Sequence, residues 1–201
     1  NDVLQPMGFR QGLEGLWTPE VVADWSGCDS GCNNCGQVCP TGAIRALPLA
    51  EKRVARMGLA IVDQATCLPF AGKEECRLCV DECNAAGYRA IEFVRVHAET
   101  DASGAPVPGS GYQAPVVIPD LCVGCGLCQM RCYNINALEK GLLNKTAILV
   151  EAGEGKEDRL MGGSYLALRD ERERRKREAD EARTRASGAN TEYLPDFLRE
   201  G

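Results

Sequence analysis

Apolar positions in this chain come in short runs. Gly58-Leu59-Ala60-Ile61-Val62 is closed by Asp63, and Val116-Val117-Ile118 leads to Asp120. Short β-branched runs of this kind predict the strands of small hairpins. Three apolar pairs recur along the chain: Ala43-Ile44, Ala90-Ile91 and Ala137-Leu138. Between Ile91–Val96 and Val116–Ile118 lie residues 98–115, with Gly104, Pro106, Pro108, Gly109, Gly111 and Pro115. That composition predicts a loop, so the two strands form a long hairpin. As a docking surface or as a tolerated insertion, the loop reads equally well. Residues 165–186 lack Gly and Pro, are rich in Arg, Glu and Ala, and predict a helix. It is polar on nearly every side, so it is either solvated or bridges to a partner. Leu194, Phe197 and Leu198 then offer an apolar anchor at the end of the chain.

Cysteine gives these short elements their order. The chain holds 12 Cys and one His, His97, in 201 residues. The first block is Cys28, Cys32, Cys35 and Cys39, spaced C-x3-C-x2-C-x3-C, with Pro40 after it. The second is Cys67, Cys76, Cys79 and Cys83, spaced C-x8-C-x2-C-x3-C. The third is Cys122, Cys125, Cys128 and Cys132, spaced C-x2-C-x2-C-x3-C. Each apolar pair follows the last Cys of a block, so the chain is a loose repeat of strand, ligand loop, short helix and strand. The fold class expected is α+β: tandem units of short β-hairpins and short helices, with a charged C-terminal helix. The expected organisation is an extension at 1–27, a domain at 28–150 and a charged helical tail at 151–201.

The spacing decides what the cysteines do. Thiolates suit Fe–S clusters, Zn²⁺ and Cu(I). A [4Fe–4S] cube takes one thiolate per iron; cysteines two residues apart wrap three corners, and the fourth, after an x3 gap, reaches a neighbouring cluster in two-cluster proteins. Residues 28–40 and 122–132 fit this closely. A zinc ribbon uses two C-x2-C pairs across a longer spacer, and a triplet such as Cys122, Cys125 and Cys128 suits a single tetrahedral ion poorly. Covalent haem needs C-x2-C-H, which is absent, and His97 is far in sequence from any Cys. Disulfides between residues so close are strained. All twelve cysteines are therefore candidate ligands of three [4Fe–4S] clusters. Ile44, Ile91 and Leu138 are expected to pack around the cubes and exclude water. Aromatic residues make up 5% of the chain. That is thin for an ordinary core, so the clusters replace part of it and the apo chain is expected to be largely unfolded.

Charge and hydropathy narrow the partners. The net charge is −6, which argues against nucleic acid. Residues 165–186 carry +2, leaving −8 on the remainder. The pairs Glu74-Glu75 and Asp81-Glu82 read as an acidic face, of use in docking a basic partner. No run of about 18 apolar residues exists to span a membrane. No Sec-type or twin-Arg signal is readable at the start, which opens on Asn1. No nucleotide-binding glycine fingerprint follows a strand, and His97 reads as a surface position rather than a general base.

Cys39-Pro40-Thr41-Gly42-Ala43-Ile44, Arg56-Met57-Gly58-Leu59-Ala60-Ile61-Val62-Asp63, Cys67-Leu68, Cys76 to Cys83 and Cys122-Val123-Gly124-Cys125-Gly126-Leu127-Cys128 carry a family resemblance. This stretch resembles the polyferredoxin subunits of periplasmic nitrate reductase systems and of methylamine utilisation. The resemblance implies bacterial-ferredoxin-like units. It also implies a [4Fe–4S] carrier exported by a twin-Arg signal and fed by a membrane quinol-oxidising partner. Three features depart from the family. Its usual first cysteine block is absent, Asn84 and Tyr133 stand where Pro follows the last Cys, and the charged tail has no counterpart. Nested pairing, as in related polyferredoxins, implies that Cys28, Cys32 and Cys35 share a cube with Cys83, and Cys67, Cys76 and Cys79 one with Cys39. Cys122, Cys125 and Cys128 then take Cys132 or an outside ligand. The other arrangement pairs the last two blocks and leaves the first alone.

The function expected is an electron-transfer subunit of a larger membrane-associated redox complex. It relays electrons between a donor, quinol-linked by the resemblance, and a partner oxidoreductase or cytochrome, with residues 165–198 contacting a partner. The periplasmic face is expected from the resemblance, with the cytoplasm as the alternative. A structural or redox-sensing iron–sulfur protein is the second reading, and a cluster with an open catalytic iron the third.

Overall fold

The computed structural model describes residues 4–9, 12–15, 18–105 and 107–191. Pro106, Leu194, Phe197 and Leu198 fall outside them. The chain divides into two compact units, Asn1–Arg159 and Leu160–Gly201.

In the first unit, β1 (Leu4–Pro6) and β2 (Pro19–Val21) form an antiparallel hairpin. Two short helices follow, α1 (Asn34–Val38) and α2 (Leu49–Val54). Next comes strand β3 (Leu59–Val62), then α3 (Leu78–Ala85), then β4 (Ile91–Val96). The same succession repeats as β5 (Tyr112–Val117), α4 (Leu127–Cys132) and β6 (Ile148–Glu151). The inner strands β4 and β5 pair antiparallel from Ile91↔Val117 to Val96↔Tyr112. The outer strands β3 and β6 pair antiparallel from Leu59↔Glu151 to Val62↔Ile148. Within this unit the two β-α-β repeats thus close on each other, and α3 packs against α4.

Side-chain alternation explains the faces. Ala60 in β3 and Ile91 in β4 point inward and are buried, while Ile61 and Glu92 point out. Helix α3 buries Cys79, Val80 and Cys83, and α4 buries Cys128, Gln129 and Cys132. The core consists of these thiols together with Leu68, Val80, Ile91, Leu143 and Ile148. The predicted hairpin forms, but β5 starts at Tyr112 and takes in Pro115. A two-stranded sheet leaves an outer edge on each strand, and there a proline's missing N–H costs no ladder bond.

One glycine contact fixes the join. Gly124 has φ +69°, and a Cβ on it would lie 2.5 Å from the Gly58 backbone. The Met57 amide donates to the Val123 carbonyl at 2.9 Å beside this contact. The Met-Gly-Leu-Ala segment therefore packs directly on the third cysteine loop. In the second unit, α5 spans Tyr165–Thr191. Its Arg174 pairs with Glu171 and with Glu178 at 2.7 Å, and Arg175 pairs with Glu171 at 2.6 Å.

Candidate iron–sulfur site

The turn before the second ligand loop is set by a short polar residue, Asp63. Asp63 Oδ1 accepts from the Ala65 amide at 3.1 Å, and its Oδ2 accepts from Thr66 Oγ1 at 2.6 Å. Thr66 and Lys145, which lies 3.1 Å away, hold the Asp63 carboxyl below its ordinary range. The Cys67 amide donates to the Asp63 carbonyl at 2.9 Å, so this turn aims the first ligand of the second block.

Eight cysteines fall into two sets of four. Cys67, Cys76, Cys79 and Cys132 line one small cavity, walled by Val62, Leu68, Leu143 and Ile148. Cys83 lies with Cys122, Cys125 and Cys128, each close enough to feel the others' charge. The fourth cysteine of each block thus joins the other block's three. This is the arrangement that pairs the last two blocks, and it corrects the nested pairing, in which Cys83 joins the first block and Cys39 the second. The cause is topological: β3–β6 and β4–β5 pairing sets α3 against α4 and brings Cys83 and Cys132 across. Cys128 also lies near Cys79, so the two sets are neighbours.

Burial dominates the chemistry of these thiols. It pushes Cys67 up to about 11, with Cys76 and Cys132 adding to the shift. It also pushes Cys125 up to about 11 and raises Cys79, Cys83 and Cys128. Such thiols keep their protons until a cation displaces them, as iron does. Backbone amides aim at the sulfurs: Ala90 at Cys83 (3.2 Å), Ala147 at Cys132 (3.4 Å) and Ala60 at Cys122 (3.5 Å). Asn136, fully buried, directs Nδ2 at Cys76 (3.5 Å) and Cys132 (3.8 Å). Donors to sulfur favour thiolate and tune cluster potential. Among the described residues, no three or more His, Cys, Asp or Glu close on one point as a single ion requires. Each set offers four thiols, the number a [4Fe–4S] cube takes at one per iron.

The first block stands apart. Cys28, Cys32 and Cys35 line a groove of about 900 Å³ with Ile44, Met57 and Cys125. The Cys28 amide donates to the Cys125 carbonyl at 2.6 Å. Buried Lys52 grips the Asp29 carbonyl, and Arg53 Nε donates to the Ser30 carbonyl at 3.2 Å. Cys39 accepts from the Ile44 amide at 3.4 Å and lies 3.6 Å from Thr41 Oγ1. These two groups hold its thiol down at about 7.

Of the three apolar positions expected at the clusters, Ile91 is buried in the core and Ile44 lines the groove. Leu138 is 58% exposed, which corrects its expected place. Residues Tyr133–Glu139 form a wide i→i+5 turn of helix, and this shifts the phase so that Ala137 faces the core instead. Sequence reasoning also missed Asn136, Gln129 and Tyr88. Gln129 is buried and ties Asp24 (2.8 Å) to the Val150 amide (2.7 Å). Asp24, just ahead of the first block, is thereby tied to the third block. Tyr88 has a buried hydroxyl with no hydrogen-bond partner. His97 bonds the Phe70 carbonyl at 2.6 Å through Nε2 and fastens the hairpin to the second ligand loop.

No family model and no solved structure matches this chain. Curated relatives do. The methylamine utilization ferredoxin-type protein MauM of Methylobacillus flagellatus is 36% identical over 99 residues, 49% of this chain and 37% of its own length. The ferredoxin-type protein NapG of Escherichia coli K12 is 35% identical over 138 residues, 65% of this chain and 53% of its own length. NapG of Haemophilus influenzae is 31% identical over 169 residues, 76% of this chain and 53% of its own length. The chain spans about half the length of the curated relatives it matches. Twelve cysteines in three blocks, an α+β fold gathered around them and these relatives agree: over the matched residues the chain is a homologue of the NapG and MauM ferredoxin-type proteins.

Proposed function

We propose that this protein is an electron-transfer subunit carrying about three [4Fe–4S] clusters on tandem bacterial-ferredoxin-like units. All twelve cysteines serve as ligands. The observation that carries the reading is the reciprocal crossing of Cys83 and Cys132 between two sets of four thiols. When bound, the clusters supply one-electron redox chemistry. The chain's residues bury them, aim amide donors at their sulfurs and bring Cys79 and Cys128 close between the two sites. Such adjacency suits a relay.

The relatives' names support a place among redox partners in a complex. The donor is a membrane quinol-oxidising protein and the acceptor an oxidoreductase or cytochrome, at the periplasmic face of the membrane. Helix α5 and the residues up to 198 serve to contact a partner. Among the described residues, no helix is long and apolar enough to cross a membrane.

EPR-monitored redox titration of the anaerobically loaded protein tests this function. Reversible one-electron couples are expected, with at least about eight irons and eight sulfides per chain from the paired blocks. Clusters that fall apart on reduction would instead support a structural or sensing role.

A further inference from the structure

One side chain points its amide at sulfurs from two different blocks. Asn136 Nδ2 lies 3.5 Å from Cys76 Sγ, of the second block, and 3.8 Å from Cys132 Sγ, of the third. Asn136 is 3% exposed, so water has little access to it. Its backbone is pinned as well: the Asn136 carbonyl accepts from the Leu142 amide at 2.8 Å and from the Leu143 amide at 3.1 Å. Leu143 in turn walls the cavity that Cys67, Cys76, Cys79 and Cys132 line. Asn136 sits in the widened turn Tyr133–Glu139, and turns of this kind are rare and recur at functional sites. The donors at Ala60, Ala90 and Ala147 are backbone amides, which come with the fold. Asn136 depends on the identity of one residue. Against a thiol, a weak acceptor, its buried amide gains little. Against an anionic sulfur it gains much more.

We propose that Asn136 sets the reduction potential of the Cys67–Cys76–Cys79–Cys132 site and biases an electron shared by the two paired sites toward it. The proposal rests on the cluster reading above. Reduction adds negative charge that spreads onto the sulfurs, and the Nδ2–H dipole stabilises that charge. The apolar wall at Val62, Leu68 and Ile148 keeps the local dielectric low, which strengthens the effect. Asp63 acts on Cys67 in the opposite sense, as a negative neighbour partly offset by Lys145 at 3.1 Å. The step moves one electron and no atoms. One site is oxidised and its neighbour reduced across the approach of Cys79 to Cys128, no bond forms or breaks, and no proton is transferred.

The full chain, loaded anaerobically with iron and sulfide, provides the test. Asn136→Leu keeps nearly the same volume and removes the donor. Its reduction equilibrium at this site should fall about tenfold, or about 59 mV for one electron, while the neighbouring couple stays in place. In half-reduced protein, EPR should show the ratio of the two signals shifted about tenfold away from this site. Cys76→Ser, which puts oxygen in place of one ligand sulfur, identifies the signal that belongs to it. A second readout needs no variant: with asparagine carrying ¹⁵N in its side-chain amide, that signal in the reduced native chain should show a ¹⁵N hyperfine coupling. The proposal is overturned if the couple is unmoved in Asn136→Leu at an equal iron count, if the neighbouring couple moves as far, or if the ¹⁵N coupling is absent. Should Asn136→Leu hold no iron, the ¹⁵N coupling decides. A native chain with fewer than about eight irons, or with no reversible couple, refutes the cluster reading itself, whatever Asn136 does.

Discussion

Burial holds the Cys67 and Cys125 thiols up at about 11, so both are neutral in the apo protein at physiological pH. Ligation must remove those protons. Iron retention is therefore expected to weaken on acidification, by about tenfold per pH unit for each proton released. Competition with a chelator at pH 6, 7 and 8 measures this; retention independent of pH would contradict it. Tyr88 belongs to the same chemistry. Its buried hydroxyl lies near Cys125 and Cys28, and burial raises its pKa, so it stays a donor. Among the described residues no acceptor lies within hydrogen-bond reach of it, so a bond from this hydroxyl to a ligated sulfur would form only on loading. Tyr88→Phe should lower the reduction potential of the Cys125 cluster, since a donor to sulfur stabilises the reduced state's added charge. An unshifted potential in the EPR titration would reduce Tyr88 to a packing role.

Between elements, close backbone approach sets the tolerance. Gly124→Ala brings a methyl group to 2.5 Å from the Gly58 backbone at a φ of +69°. Loss of about 1–3 kcal/mol is expected from such overpacking. It should appear as a lower melting temperature of the loaded protein together with faster loss of the Cys122–Cys128 cluster. Ile148, 2% exposed, closes the β3–β6 pair over the first cavity. Ile148→Ala should cost about 2–5 kcal/mol. Denaturant midpoints of the loaded protein read this, and a loss below about 1 kcal/mol would show that clusters rather than side chains hold the pair together.

For the whole molecule, the division at Arg159 separates the cluster-bearing unit from α5. Removing residues 160–201 should leave iron content and EPR signals unchanged. If the charged helix serves a partner, the truncation should slow electron delivery to that partner alone. Loss of clusters on truncation would show that the second unit supports the first.

The sequence by itself determined the candidate ligands, the candidate cofactor, the repeat and the hairpin. All of these follow from local spacing, because three cysteines two residues apart impose their chemistry within a dozen residues. Cysteine spacing carried no information about which blocks pair. That depends on β3 meeting β6 and β4 meeting β5 across long stretches of chain, and only the tertiary structure decided it. The same holds for Leu138, whose direction depends on the widened helical turn at 133–139, and for Asn136, which no motif marks and which folding sets against Cys76. The burial that keeps thiols protonated likewise arises only when the elements pack.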